Sequence, residues 1–227
     1  MPLYGEIQTK TGMQRMRLEM KGDMFVRDSA NFKHDTYAVL NEFKSTYRRM
    51  IALSAGHSFL DIGAHIGVFT VNAMLAGAQR GICYEPERGA LSVLRANVAR
   101  FGKKVKVVPE AVGGVDKQVM LSVPYLGNSV HFNYQRRVMQ PVRQRAFQDV
   151  LEAHKVSLLK VDCEGAELEF LNGKKLPKHI EIVCGELHRW DDNEDRCRKI
   201  IDSFGKWRQI HKTFQSCLQQ MLGCCLE

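Results

Sequence analysis

Between Gly56 and Glu186 the chain alternates short apolar runs with longer stretches whose apolar residues return at helical spacing, the pattern of βαβ units around a mainly parallel sheet. Ser58 to Ile62 reads as the first strand, Ile66 to Gly77 as the first helix and Arg80 to Glu85 as the second strand. Leu91, Leu94, Val98 and Phe101 recur on one face of a helix over Arg88 to Phe101, which Pro86 separates from that strand. Val105, Val107 and Val108 mark a third strand ending at Glu110 and Ala111. Gln118 to Val123 and Ser129 to Tyr134 alternate as a β-excursion, turned by Pro124, Gly127 and Asn128 and expected over or beside the site. A short helix around Ala146 to Leu151 leads into a buried strand, Ser157 to Val161, and Ile180 to Cys184 forms another.

The flanks are less regular. Met1 to Arg27 has β-like pieces, and Asp35 to Ala55 carries Tyr37, Leu40, Phe43, Tyr47 and Ile51 at the spacing of a helix packed on the sheet. Asp195 to Phe204 predicts a helix ended by Gly205. Trp207 to Glu227 is compatible with a strand near Trp207 to His211 and with a terminal helix. The expectation is an α/β fold with a mainly parallel sheet, helices on both faces and a β-excursion before the fourth core strand. At 227 residues a single domain is expected, with an extension over 1–56, a catalytic core over 57–190 and C-terminal elements over 191–227.

Composition adjusts this picture in three ways. No run of eighteen apolar residues occurs, and Met1-Pro2-Leu3-Tyr4-Gly5-Glu6 lacks the basic and apolar segments of a signal peptide. A soluble, cytoplasmic protein without a membrane span is therefore expected. The seven cysteines have no paired CxxC spacing, so reduced thiols are the default; Cys224 and Cys225 read as exposed thiols on a tail, with acylation or interchain bridging as alternatives. The formal charge of +8 attracts anionic partners at low salt. Basic residues cluster at Arg48-Arg49, Lys103-Lys104, Arg136-Arg137 and Arg143 with Arg145, either as a solvated face or as a rim round a site.

Candidate chemistry begins at Phe59 to Thr70, Phe-Leu-Asp-Ile-Gly-Ala-His-Ile-Gly-Val-Phe-Thr. A strand entering a glycine-bearing turn and a helix leaves backbone N–H groups that a ligand can approach where side chains are absent, here at Gly63 and Gly67. Glu85, at the tip of the next strand, stands where a carboxylate accepts hydrogen bonds from both ribose hydroxyls of an adenosine. The spacing Asp-x-Gly-x-x-x-Gly departs from the Gly-x-Gly-x-x-Gly of a pyrophosphate loop. S-adenosylmethionine fits it better than NAD, with Asp61 facing the methionine ammonium. Glu110 and Ala111 would lie beside the adenine, or Glu110 is a solvated loop carboxylate.

A second constellation, Lys160-Val161-Asp162-Cys163-Glu164-Gly165-Ala166-Glu167, places one lysine and three carboxylates at the end of a buried strand. Strand alternation sends Lys160 and Asp162 to one side. Asp162 is then a base or orienter for an acceptor hydroxyl, and Lys160 a group that lowers the acceptor pKa. Asp162 and Glu164 also suit a divalent magnesium or calcium ion, joined in that reading by Glu167. The plainer account is a Lys160 structural pair and a favourable first-turn charge at Glu167.

Leu158 to Glu167, Leu-Leu-Lys-Val-Asp-Cys-Glu-Gly-Ala-Glu, following the Asp-Ile-Gly-Ala-x-x-Gly loop, resembles the signature of FkbM-type S-adenosylmethionine-dependent methyltransferases. The resemblance spans about Phe59 to His188 and includes Glu85, the Glu110-Ala111 step, Asn128-Ser129 and Gly185-Glu186-Leu187-His188. It implies a Rossmann-like class I methyltransferase sheet and O-methylation of hydroxyl groups, often on sugars or polyketide-like products. By the same resemblance Asp61, Gly63, Ala64, Gly67, Glu85, Glu110, Ala111 and Asp162 would meet the cofactor. Lys160, Asp162, Glu164 and His188 would be catalytic, His188 as a proton relay or as a hydrogen-bonded strand end, and Asn128 and Glu186 would contact substrate. Arg143 and Arg145 depart from the small hydroxyl residues expected before the Ala146 helix. Three functions follow in order: an O-methyltransferase for a glycan or small metabolite, a nucleic-acid methyltransferase of the ribose 2′-O type using the basic surface, and a catalytically inactive cofactor-binding module.

Overall fold

The computed structural model of the chain describes residues 4–9, 12–27, 35, 48–124, 137–188, 190–204, 207–211 and 219–226. Four short strands come first, β1 (Tyr4–Thr9), β2 (Gly12–Arg17), β3 (Glu19–Lys21) and β4 (Met24–Val26), paired as two antiparallel ribbons. The core follows as α1 (Arg48–Leu53), β5 (Ser58–Ile62), α2 (Val68–Leu75), β6 (Arg80–Tyr84), α3 (Arg88–Val98) with a 3₁₀ extension to Lys104, and β7 (Val105–Val108). After β8 (Ala111–Gly113), β9 (Lys117–Pro124) and β10 (Arg137–Ala146) come α4 (Phe147–Ala153), β11 (Leu158–Val161), α5 (Glu167–Phe170), β12 (Ile182–His188), α6 (Trp190–Ser203), β13 (Trp207–His211) and β14 (Gln219–Leu226).

The main sheet runs β13-β14-β12-β11-β5-β6-β7. Strands β12, β11, β5, β6 and β7 are parallel to their neighbours, and β14 enters antiparallel between β12 and β13. The expected parallel α/β sheet is thus present. Both faces are covered, which is why the central strands read as nearly continuous apolar runs. Leu60, Ile62, Ile82, Leu159, Val161 and Val183 pack against α4, α5 and α6 through Phe147, Leu151, Phe170 and Ile200. The alternate residues Phe59, Leu158, Ile182 and Cys184 pack against α1 and α2 through Met50, Phe69 and Met74. Phe59 has no exposed surface, and such complete burial of a phenylalanine stabilises by about 1.5–3 kcal/mol.

The N-terminal ribbon is joined to this core by polar contacts. Asn97 on α3 accepts from the Phe25 amide at 2.6 Å and donates to Phe25 O and Ile66 O, each at 2.9 Å. Among the described residues no helix is long and apolar enough to cross a membrane.

Three expectations change, and two lie largely outside the described residues. The terminal helix is replaced by β14, so Cys224 and Cys225 sit within the sheet opposite Val183 and Ile182 rather than on a tail. The segment before the Ala146 helix is the strand β10, paired with β9 and β8. Its inward positions hold Gln140 and Gln144, polar residues that hide the strand's alternation but bind backbone groups: Gln140 donates to Pro86 O at 2.7 Å and Gln144 to Val115 O at 2.9 Å. The expected strand over Ser129 to Tyr134, and most of the helix over Asp35 to Ala55, lie outside the described residues. Ala111 belongs to β8, opposite Gln144 in the excursion sheet, and not to the end of β7.

Gly185 has φ 146°, and a Cβ there would stand 1.7 Å from Val161 O. Gly185→Ala combines a disfavoured backbone conformation with backbone overlap, so it should lower the unfolding free energy by about 2–5 kcal/mol. Gly114, with nothing near its hypothetical Cβ, is the control, and Gly114→Ala should stay within about 1 kcal/mol in the same urea titration.

Candidate active site

Strands β5, β6, β11 and β12 end together along one edge of the sheet, where open α/β sheets receive ligands. Two side chains anchor the centre of that edge. Asp61 and Lys160 are register partners in the parallel β5·β11 pair and point to the same face. Lys160 Nζ lies 3.1 Å from Asp61 Oδ1 and 3.6 Å from Asp162 Oδ2, and donates to Gly63 O at 2.8 Å. Thr70 Oγ1 on α2 donates to Asp61 Oδ2 at 2.7 Å. Burial by itself would lower the Lys160 pKa, but Asp61 and Asp162 outweigh it and hold the ammonium protonated.

This arrangement revises two roles. Asp61 has 0% exposure, with Oδ2 accepting from Thr70 and Oδ1 3.1 Å from the Lys160 ammonium but without a hydrogen bond, which leaves it no surface to offer a ligand ammonium. Lys160 is 4% exposed and permanently charged, so it braces the loop and Asp162 rather than acting on an acceptor. Gly63 changes meaning as well. With φ 80°, its hypothetical Cβ would fall 1.8 Å from Asp162 O, so the glycine permits the ends of β5 and β11 to close on each other rather than opening space for a ligand. Gly67 begins α2 without a side-chain cap, but it is buried and its hypothetical Cβ would fall 2.6 Å from Leu94 Cδ1, so this glycine too serves close packing, against α3. Ala64, 4% exposed, packs between them in the core.

At the end of β6 the Glu85 carboxylate accepts from the His65 amide and from the Glu87 amide, each at 2.7 Å. It is 6% exposed, and burial raises its pKa. Each oxygen retains a lone pair, so the group can still accept from a ligand hydroxyl. Around it lies a network absent from the sequence reading. Arg27 donates to both Asp35 oxygens, at 2.9 and 2.8 Å, and to Glu87 Oε2 at 2.8 Å. His65 Nε2 sits 3.0 Å from Arg27 Nη2 and 3.3 Å from Asp35 Oδ1. Glu87 also caps α3, accepting from the Gly89 and Ala90 amides at 2.6 Å. Burial would raise the Asp35 pKa, yet Arg27 holds it well below the ordinary carboxylate range. His65 sits at φ 51°, a non-glycine residue held left-handed inside the glycine loop, which the sequence does not show.

On the other side, β11 and β12 bring Asp162, Glu186 and His188 together with ligand atoms within 4.8 Å of one another. His188 Nε2 lies 3.7 Å from Asp162 Oδ1, 3.6 Å from Glu186 Oε2 and 3.6 Å from Glu164 Oε2. Glu164 has φ 55° and an 83% exposed side chain. Glu167 is more than a first-turn charge: it is fully buried and accepts from the Gly165 amide at 2.9 Å, from the His188 amide at 2.8 Å and from His188 Nδ1 at 2.9 Å. Burial opposes charge on His188, but its bond to Glu167 and the charges of Asp162, Glu167 and Glu164 outweigh this and push it up to about 9. The bonds to Glu167 make His188 the hydrogen-bonded histidine at a strand end, the alternative to a relay, with its ring held in the charged form.

The structure does not join the remaining candidates to this cluster. Glu110 is half-buried and faces Arg143 at 3.8 Å, and Arg145 pairs with Asp116 at 3.3 Å. Asn128 lies outside the described residues. Among the described residues of β10, Arg143 and Arg145 are thus each turned to a carboxylate.

Residues 61–218, more than half of the chain, match the methyltransferase FkbM domain, and the chain belongs to that family. Among curated proteins none matches it in sequence. A solved structure from Streptococcus mutans, described as a candidate SAM-dependent methyltransferase, is similar in fold with a TM-score of 0.52 at 10% identity, covering 100% of this chain and 56% of its own. A candidate RNA methyltransferase from Pyrococcus horikoshii has a TM-score of 0.44 at 18% identity, covering 78% of each chain. Trm5b from Pyrococcus abyssi has a TM-score of 0.47 at 14% identity, covering 98% of this chain and 62% of its own.

Lys160→Met leaves Asp61 charged and buried, and should cost about 3–5 kcal/mol in chemical denaturation. Adding Asp61→Asn should recover part of this, with a coupling of about 0.5–3 kcal/mol. Simple additivity in that cycle would exclude the pair as a unit.

Proposed function

We propose that this member of the FkbM methyltransferase family transfers a methyl group from S-adenosylmethionine to a hydroxyl of a glycan or small metabolite. The observation that carries the acceptor class is the lining of the β11 and β12 ends. Asp162, Glu186 and Glu164 surround His188 there. Carboxylates accept hydrogen bonds from hydroxyls, whereas a phosphate arriving at the same edge would meet like charge. Of the basic residues, Arg143 faces Glu110 and Arg145 faces Asp116.

The residues suit the methyl donor at the buried Glu85 carboxylate, which has acceptor capacity left for ribose hydroxyls. When bound, the sulfonium supplies an activated methyl whose C–S electron pair returns to sulfur as an acceptor oxygen attacks in line. The chain's own contribution is position and charge. Asp162, with a side chain 23% exposed, takes the acceptor hydroxyl's proton as the O–C bond forms. Lys160 Nζ, 3.6 Å away, steadies that carboxylate from beneath. Glu167 fixes His188, whose imidazolium steadies the acidic edge.

Glu85→Ala should weaken S-adenosylmethionine binding by about 1.5–3 kcal/mol in calorimetry. Asp162→Asn should leave that affinity nearly intact and lower kcat by about 10²–10⁴-fold. Methyl-labelled S-adenosylmethionine incubated with the protein and a fractionated extract identifies the acceptor. Label in glycan or small-molecule fractions is expected; label confined to nucleic acid would overturn the acceptor class, and none in any fraction would leave a binding module.

A further inference from the structure

We infer that Asp162, Glu186 and His188 form a binding site for a divalent transition cation of the Mn²⁺ type. The cluster itself is three side chains with ligand atoms within 4.8 Å of one another. A second, independent feature makes it more than an acidic edge. His188 is 7% exposed, and its Nε2 has no hydrogen-bond partner although it is aimed into the carboxylates. The separations of 3.7 Å to Asp162 Oδ1 and 3.6 Å to Glu186 Oε2 are too long for hydrogen bonds. They lie close to the spacing of about 3 Å between adjacent ligands of an octahedral ion with bonds near 2.1 Å. A small inward movement of the two carboxylates would satisfy it.

The opposite ring nitrogen completes the case. His188 Nδ1 is 2.9 Å from Glu167 Oε1, and Glu167 is fully buried and held by the Gly165 and His188 amides. A carboxylate on the far nitrogen is the arrangement that fixes ring orientation in histidine metal sites and turns the remaining lone pair toward the ion. Two carboxylates favour hard ions such as Mg²⁺ and Mn²⁺, while imidazole favours the first-row metals, so the mixed set points to Mn²⁺ or Fe²⁺ rather than to calcium. The set differs from the pair expected from sequence, because Glu164 is 83% exposed and Glu186 and His188 take its place. A divalent ion at Nε2 would occupy the place of the proton the ring otherwise carries. On the methyl-transfer reading, open positions on the ion would hold an acceptor hydroxyl and ease its deprotonation.

The test uses the full chain, stripped with chelator and titrated with Mn²⁺ in the absence of methyl donor and acceptor. Paramagnetic resonance should show one bound ion per chain with nitrogen modulation from a single imidazole. His188→Ala should abolish that modulation and weaken binding at least tenfold, and Glu167→Gln should weaken it about 10–100-fold. Should either variant fail to fold, the modulation in the wild-type protein decides alone. Absence of bound Mn²⁺ up to millimolar concentration, or bound Mn²⁺ without nitrogen modulation, would overturn the site. Calorimetry with S-adenosylmethionine on the same preparation separates the two ideas: donor binding without Mn²⁺ binding removes the ion site alone, and Mn²⁺ binding without donor binding supports the site and counts against the donor reading.

Discussion

The ion pair between Asp61 and Lys160 is the constraint on which the functional edge depends. Both residues lie at most 4% exposed in the middle of the parallel sheet, on the face covered by α2. Removing two charges from water costs several kcal/mol per ion, and an apolar pair of similar volume would often be as stable. What the pair adds is placement. Its register is set by the β5·β11 ladder, and a slip by one residue would send the two charges to opposite faces. The lysine then reaches past its own strand to the Gly63 carbonyl and to Asp162, so one ammonium joins the glycine loop to the acidic edge.

The glycines follow from the same closeness. Side chains at Gly63 and Gly185 would meet the β11 backbone at Asp162 O and Val161 O. Three neighbouring strand ends are thereby drawn together, with β11 in the middle. Asp162 is placed by its amide bond to Ile62 O at 3.0 Å and by the lysine beneath it. Glu167 fixes His188 from the adjoining turn. Most of the polar groups that shape the edge are held from behind, Asp61 Oδ1 and His188 Nε2 being the buried atoms there without a hydrogen bond, and this is how side chains on a rigid sheet are held without moving loops.

A second buried network belongs to the N-terminal segment. Arg27 is tied bidentately to Asp35 and singly to Glu87, against the loop that carries His65 and close to Glu85. The β-like beginning of the chain therefore contributes directly to the edge that carries Glu85. Strand β4 is fastened to α3 by Asn97, so the network rests on core secondary structure.

The sequence by itself determined the parallel sheet, the order of its first three core strands and the two motifs at their ends. Apolar runs at Phe59 to Ile62, Gly81 to Tyr84 and Leu158 to Val161 have one conformation that buries both faces. Charges at the ends of buried strands singled out Glu85 and Asp162 as candidates, and the family resemblance added Glu186 and His188. Tertiary structure decided which of those charges look inward. Asp61 and Lys160 face each other only through strand pairing, and Glu167 meets His188 only through a contact 21 residues away in sequence. The Arg27, Asp35 and Glu87 network, the buried glutamines of β10 and the insertion of β14 between β12 and β13 were likewise settled in space. Local periodicity reports how much of a side chain is buried. The identity of its partner depends on strands and turns far apart in the chain, which hydropathy does not encode.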